Sequence, residues 1–260
     1  MNHVAVPALA SETVFHIGFF AVRNTMLMAW LAMLVLIIIA IALNAGGFRM
    51  VPGRFQSFIE LIIETLYNFF KTILQDEAMT KKFFALPATI FLFFLVANWM
   101  GIIPGVGTVV VKTMVDGATE TVPLFRSMNA DVNMTLVIAL ICMIVVEAVG
   151  ISSLGFKSYA SKFFVPPWKD PLGTFIGLLE LVSELTKIIS FTFRLFGNIF
   201  AGEVLLVVVG FLVPYVAPVP FLGMEIFVGF IQAFVFAVLA LAFMKMAMTS
   251  HGEHGAEVHG

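Results

Sequence analysis

Charge is what this 260-residue chain has least of: Asp, Glu, Lys and Arg make up 12% of it, 61% is apolar, and the mean hydropathy is +1.06. Soluble domains carry roughly a quarter of their residues charged, so the composition excludes an ordinary water-solvated fold and intrinsic disorder. It is the composition of a chain solvated by lipid. The 14 Lys+Arg nearly balance the 16 Asp+Glu, giving a net charge of −2. That leaves no basic face for a polyanion and excludes a nucleic-acid role. Cysteine is almost absent; Cys142 stands alone inside an apolar run, cannot form an intramolecular disulfide, and is expected to serve packing. The five histidines, His3, His16, His251, His254 and His259, lie towards the termini, and neither Gly-x-Ser-x-Gly nor His-Glu-x-x-His occurs. An intramembrane hydrolase is therefore disfavoured, and the histidine-bearing C-terminus reads as a solvated tail. No catalytic residue, metal or cofactor is expected.

Long apolar runs are what the chain does have. Residues 25–43 contain no charge and form a first span, of a length that crosses about 30 Å of hydrocarbon. The preceding 1–22 lack Lys and Arg and show no signal-peptide pattern, so they read as an external N-terminal segment. In 53–75, Phe55, Phe58, Ile59, Ile62, Ile63 and Leu66 recur at helical spacing among Arg54, Glu60, Glu64 and Lys71, which predicts an amphipathic interfacial helix. Residues 83–104 are a second span. Residues 131–154 are a third, opened by Asp131 as a cap and containing Glu147, read as an interfacial or packing carboxylate. Residues 106–129 and 156–171 read as loops. Two longer segments follow, 172–210 and 221–249, separated by Pro214, Pro218 and Pro220. As straight helices they would measure about 58 and 44 Å at ~1.5 Å per residue, too long to stand upright in a bilayer. The expected fold is all-α and polytopic: a single membrane domain with five embedded helices, one amphipathic helix, a slanted final hairpin and a tail at 250–260.

Orientation follows from the cations. Arg49, Arg54, Lys71, Lys81, Lys82, Lys157, Lys162, Lys169 and Lys245 fall on one side; Arg23, Lys112 and Arg126 fall on the other. The positive-inside rule makes the first side cytoplasmic, with the N-terminus outside and the C-terminus inside.

The remaining charges sit within the hairpin: Glu180, Glu184, Lys187, Arg194, Glu203 and Glu225, with Asn198 and Gln232 as further polar groups. A charge within a span costs at least about 2.5 kcal/mol on insertion scales, so each is a functional candidate. Positions 180, 184, 187, 191, 194 and 198 step by four and three and share one helical stripe. Glu203 lies nine residues beyond Arg194, while Glu225 and Gln232 are seven apart and share a face. Folding the hairpin places two carboxylates in the outer half, a Glu180/Glu184 cluster in the inner half, and a guanidinium between. Glu184 and Lys187 alone would be an ordinary i, i+3 contact, and Asn198 and Gln232 alone ordinary interhelical hydrogen-bond partners. Arg194 has no carboxylate three or four residues away, so its partner must come from another helix or another chain.

Four segments carry a resemblance: Val51-Pro-Gly-Arg-Phe-Gln56, Asn129-Ala-Asp-Val-Asn-Met-Thr-Leu136, Arg194-Leu-Phe-Gly-Asn-Ile-Phe-Ala-Gly-Glu203 and Gln232-Ala-Phe-Val-Phe236. In them the chain resembles subunit a of the F-type ATP synthases, the static membrane partner of a rotating c-ring. The resemblance implies proton translocation through two offset half-channels, without catalysis by this subunit. It also implies c-ring and peripheral-stalk b-subunit partners, surrounding lipid, and a bacterial inner membrane. It puts the stator arginine on Arg194, the outer acidic pair on Glu203 and Glu225, the facing glutamine on Gln232, and the inner acidic position on Glu180. Pathway-lining polar positions fall on Asn198, Ser190 and Asn133. Relatives often carry one acidic group across positions 203 and 225; this chain has two. A stand-alone secondary transporter is the alternative, although no internal repeat is visible.

Overall fold

The computed structural model describes residues 11–46, 52–103, 105–115, 118–163, 168, 171–214 and 216–248. Arg49, Lys169 and the 250–260 tail, all used in the sequence reading, lie outside them. Among the described residues the fold is all-α in its membrane part, with eight helices of which five are long and apolar enough to cross a bilayer. These five are α1 (Asn24–Ala45), α4 (Ala85–Ile102), α5 (Val132–Leu154), α7 (Pro171–Leu212) and α8 (Pro218–Met248). The amphipathic helix is α2 (Arg54–Leu74); it buries Leu66, Phe70 and Leu74 and leaves Phe55, Phe58 and Leu61 exposed beside its charges. Its last turn stops at Gln75, whose left-handed φ of 59° breaks the helical run. The short α3 (Glu77–Phe83) then starts afresh, because the Asp76 carboxylate accepts from the backbone N–H of Ala78 at 2.7 Å and of Met79 at 3.1 Å.

The external segment and the two stretches read as loops contain regular structure. The external segment holds an antiparallel hairpin, β1 (Thr13–Ile17) with β2 (Phe20–Arg23), turned at Gly18 with φ 62°. The 106–129 loop holds a second hairpin, β3 (Val110–Val115) with β4 (Ala118–Pro123). The 156–171 loop holds α6 (Phe156–Phe163). The two loop stretches are mixed enough to read as loop by hydropathy, yet the first pairs its own backbone and the second packs Tyr159 inward. The two long helices also start earlier than expected, α7 at Pro171 and α8 at Pro218, with Pro218 and Pro220 in the first turn of α8, where the missing N–H groups need no partner. At 42 and 31 residues, α7 and α8 span about 63 and 46 Å at ~1.5 Å per residue. Both exceed an upright crossing.

The core gathers around α8, which packs against α4, α5 and α7. Ala233, Ala237 and Ala240 on α8 are fully buried, and these small side chains let neighbouring backbones approach. Phe236 fills the space between them, with its ring 4.7 Å from Phe94 and stacked 4.5 Å from Phe191. Side-chain hydrogen bonds, from buried amides and from an indole at the surface, then fix the height of α4 against α8. Asn98 Nδ2 donates to the Gly229 carbonyl at 3.0 Å, Trp99 Nε1 to the Ile226 carbonyl at 3.1 Å, and Asn129 Nδ2 to Asn98 Oδ1. At the other end, Lys245 Nζ donates to the Ile73 carbonyl at 2.8 Å, tying α8 to the C-terminus of α2.

Candidate functional site

The polar residues of α7 and α8 are held by this packing. Phe191, Leu195, Phe196 and Ile199 are buried and turn one side of α7 into the bundle. Arg194 is thereby left half-buried at the edge of that side, with Phe193 exposed next to it. Its Nη2 donates to Ser190 Oγ one turn earlier, at 3.3 Å. Among the described residues no carboxylate forms an ion pair with Arg194. One turn later, Asn198 Nδ2 donates across to Gln232 Oε1 on α8 at 2.8 Å, while Gln232 Nε2 is buried and has no partner among the described residues.

A space lined by both apolar and charged side chains lies on either side of this level. Towards the end of α7 that faces the two hairpins is a 510 Å³ cavity bounded by Asn98, Arg126, Glu203, Glu225 and Glu12 among others. Glu225 is 4% exposed and rests against Gly202, where a β-carbon would fall 1.9 Å from Glu225 Oε1. Only glycine leaves room for that carboxyl. Glu203 is gripped by Arg126, whose Nε donates to both carboxylate oxygens at 3.1 and 3.3 Å and whose Nη2 donates to Oε2 at 3.1 Å. Towards the start of α7 is a 370 Å³ groove lined by Ser183, Lys187, Ser190, Arg194 and Phe243 among others. Lys187 Nζ pairs with Glu184 and sits 4.9 Å from the centre of the Phe243 ring. Nearby, the Tyr159 hydroxyl of α6 donates to Glu147 Oε2 of α5 at 2.5 Å. Burial, and then that hydrogen bond, hold the Tyr159 hydroxyl well above its ordinary pKa, so it remains a donor.

The model of the family described as "ATP synthase A chain" matches residues 26–245. The chain belongs to that family. Curated relatives agree. A protein named ATP synthase subunit a from Geotalea daltonii is 35% identical over 83% of either chain. One of the same name from Syntrophobacter fumaroxidans is 31% identical over 95% of this chain and 91% of its own. Another, from Moorella thermoacetica, is 27% identical over 92% and 96%. An ATP synthase A chain is the proton-translocating subunit of the membrane sector and works in a complex with other subunits; a stand-alone transporter is not favoured.

Within this A chain the residues singled out from the sequence are distributed unevenly. Arg194 and Ser190 share one groove, Asn198 and Gln232 bridge the two long helices, and Glu203 and Glu225 share one cavity. Glu180 is half-buried one turn before Glu184 and lines neither space among the residues described. Asn133 stays local: it is exposed at the head of α5, where its N–H and Nδ2 both donate to Asp131 Oδ1, at 2.9 and 3.2 Å. Asp131 is thus the cap of α5. Two residues escaped sequence reasoning. Arg126 reads from the sequence as an outer-side cation, although a partly buried carboxylate such as Glu203 favours a cation from some other element. Tyr159 lay in an apparent loop, although Phe156, Tyr159 and Phe163 recur at helical spacing.

Proposed function

We propose that Arg194 is the fixed cation separating two half-channels and that the partner facing it is a carboxylate on a rotating ring of c subunits. The observation that carries this is Arg194 itself. It is a guanidinium in the middle of a membrane-embedded helix whose hydrogen-bond partner among the described residues is a serine hydroxyl, with a cavity holding Glu203 and Glu225 beyond it and a groove holding Ser183, Lys187 and Ser190 before it. Burying a cation without a counter-charge is unfavourable, so a carboxylate from another chain is the natural complement. The exposed, apolar Leu185, Ile189 and Phe193 around that position suit packing against transmembrane helices of a ring.

The electrostatics supply the mechanism. A rotor carboxylate about 4 Å from a guanidinium gains roughly 4 kcal/mol at an effective dielectric near 20. At 1.36 kcal/mol per unit this makes the acid about three units stronger, so it sheds its proton on reaching Arg194. Arginine suits the position because it stays charged where lysine could neutralise. Its charge also opposes direct hopping between the half-channels. A proton enters from the Glu203/Glu225 cavity, binds a rotor site, travels with the ring, and leaves by the groove that runs from Ser190 towards Glu180. Each charge crossing is worth about 2.3 kcal/mol per 100 mV, and this turns the ring. In this reading the chain makes no ATP itself, contacts the b subunits of the stalk, and lies in a bacterial inner membrane with its N-terminus outside. The nine-to-three cation asymmetry supports that orientation. Arg194→Ala tests the proposal: proton-driven ATP synthesis is expected to vanish while the complex still assembles, and full synthesis by the variant contradicts it.

A further inference from the structure

The outer cavity holds two carboxylates, and the structure treats them differently. Glu203 is held by a bidentate guanidinium: Arg126, 6% exposed, spans both oxygens with N–H bonds of 3.1 to 3.3 Å. Protonating Glu203 breaks that grip and strands a buried cation that does not deprotonate. Glu225 has the opposite surroundings. It is buried against Gly202, and among the described residues neither a cation nor a hydrogen-bond donor reaches its carboxyl. The other charged group on the cavity is Glu12, which receives a 3.4 Å contact from Asn24 Nδ2. Arg23 and Asp131 meet at Ser11, its neighbour in the chain.

We infer that Arg126 is a positioning residue that locks Glu203 into a permanent ion pair, so that Glu225 alone carries the proton through the outer cavity. The inference rests on the half-channel reading above. A proton from the cavity adds to the Glu225 carboxylate. Glu225 then gives it to the empty rotor carboxylate and returns to its charged form, so each transfer breaks one O–H bond and makes another. The Arg126–Glu203 pair contributes no proton. Being neutral as a unit, it keeps Glu225 from facing either a bare second carboxylate, which would trap protons, or a bare cation, which would repel them.

The test is a charge-removal cycle in the complete ATP synthase reconstituted in liposomes, read as ATP-driven proton uptake. Glu203→Gln strands the buried Arg126 and Arg126→Gln leaves the partly buried Glu203 without its cation, and each is expected to lose about tenfold or more. The double variant Arg126→Gln/Glu203→Gln is expected to regain about tenfold over either single variant, because it removes both charges together. Glu225→Gln is expected to abolish uptake. A double variant no better than Glu203→Gln overturns the inference, since Glu203 is then itself a carrier. If Arg194→Ala pumps normally in the same preparation, the half-channel reading fails instead, whatever the pair does. A measurement on the unaltered complex needs no variant to assemble: a hydrophobic carbodiimide reacts with protonated carboxyls, and mass spectrometry is expected to find it on Glu225 with Glu203 unmodified. Modification of Glu203 with Glu225 untouched overturns the inference.

Discussion

Adding one methyl group at Gly202 should make α7 a better helix and the protein a worse proton conductor. Glycine inside a helix is less favourable than alanine by about 0.5–1 kcal/mol, so Gly202→Ala is stabilising in the backbone. The new β-carbon, however, falls 1.9, 2.2 and 2.4 Å from Glu225 Oε1, Cδ and Oε2. Contacts under 3.0 Å do not persist, so the carboxyl must retreat by about 1 Å or more. It can do so because it is the free end of a flexible side chain, and the helices need not part. A misplacement of about 1 Å at a reacting group can lower a rate on the order of 100-fold. The assay pairs thermal unfolding of the purified complex with proton uptake in liposomes. Unchanged or raised thermal stability with flux reduced about tenfold to 100-fold is the expected combination. Unchanged flux would refute the placement of Glu225 on the path, and a fall in stability with flux intact would refute the packing argument.

Asn98→Ala removes the acceptor of Asn129 Nδ2 and the donor to the Gly229 carbonyl, and is expected to destabilise the α4–α8 contact by about 1–3 kcal/mol in thermal or denaturant unfolding. At the inner end, Gly150→Ala sets a β-carbon 2.5 Å from the Tyr159 ring and 3.1 Å from the Ala247 carbonyl oxygen. The Tyr159 ring is buried and tied to Glu147 through its hydroxyl, so it cannot swing aside as a free carboxyl can, and a loss of about 1–3 kcal/mol in unfolding stability is expected. Glu77, the first residue of α3, is held at a pKa of about 2, below the ordinary value of 4.5, by hydrogen bonds from Lys81 and Lys71 and by their charges. A depressed carboxylate stabilises above its unfolded pKa, so its contribution is full above about 4.5 and is lost as pH falls towards 2. The stability difference between wild type and Glu77→Gln should shrink over that window and with added salt; a difference independent of pH would exclude the linkage. Finally, cysteines at Ile189 or Phe193 should cross-link to ring subunits, whereas a cysteine at Ile37 on α1 should not.

The five spans were legible because hydropathy over about 20 residues is a strong signal and lipid leaves few alternatives to a helix. The stripe from Glu180 to Asn198 was legible for the same reason: periodicity along one helix is a local property. Partners across helices were not. That Arg126 meets Glu203, 77 positions later, depends on how the β3–β4 hairpin returns the chain over the end of α7. That Gly202 makes room for Glu225 depends on the height at which α7 and α8 cross, which is set by amides such as Asn198 and Gln232. The hairpins were missed because strands of four to six residues give little pattern to read. Asn133 shows the converse: a polar residue in a specific motif whose contacts in the fold are to its own helix cap.

The central claim is that Arg194 keeps the two half-channels apart, so that protons cross only with the ring. The direct measurement is to record ATP synthesis under an imposed gradient and passive proton conduction side by side, for wild-type and Arg194→Ala complexes in the same liposomes. The variant is expected to make no ATP yet still pass protons, because the barrier has gone and the ring need not turn. ATP synthesis at the wild-type rate without Arg194 would contradict it.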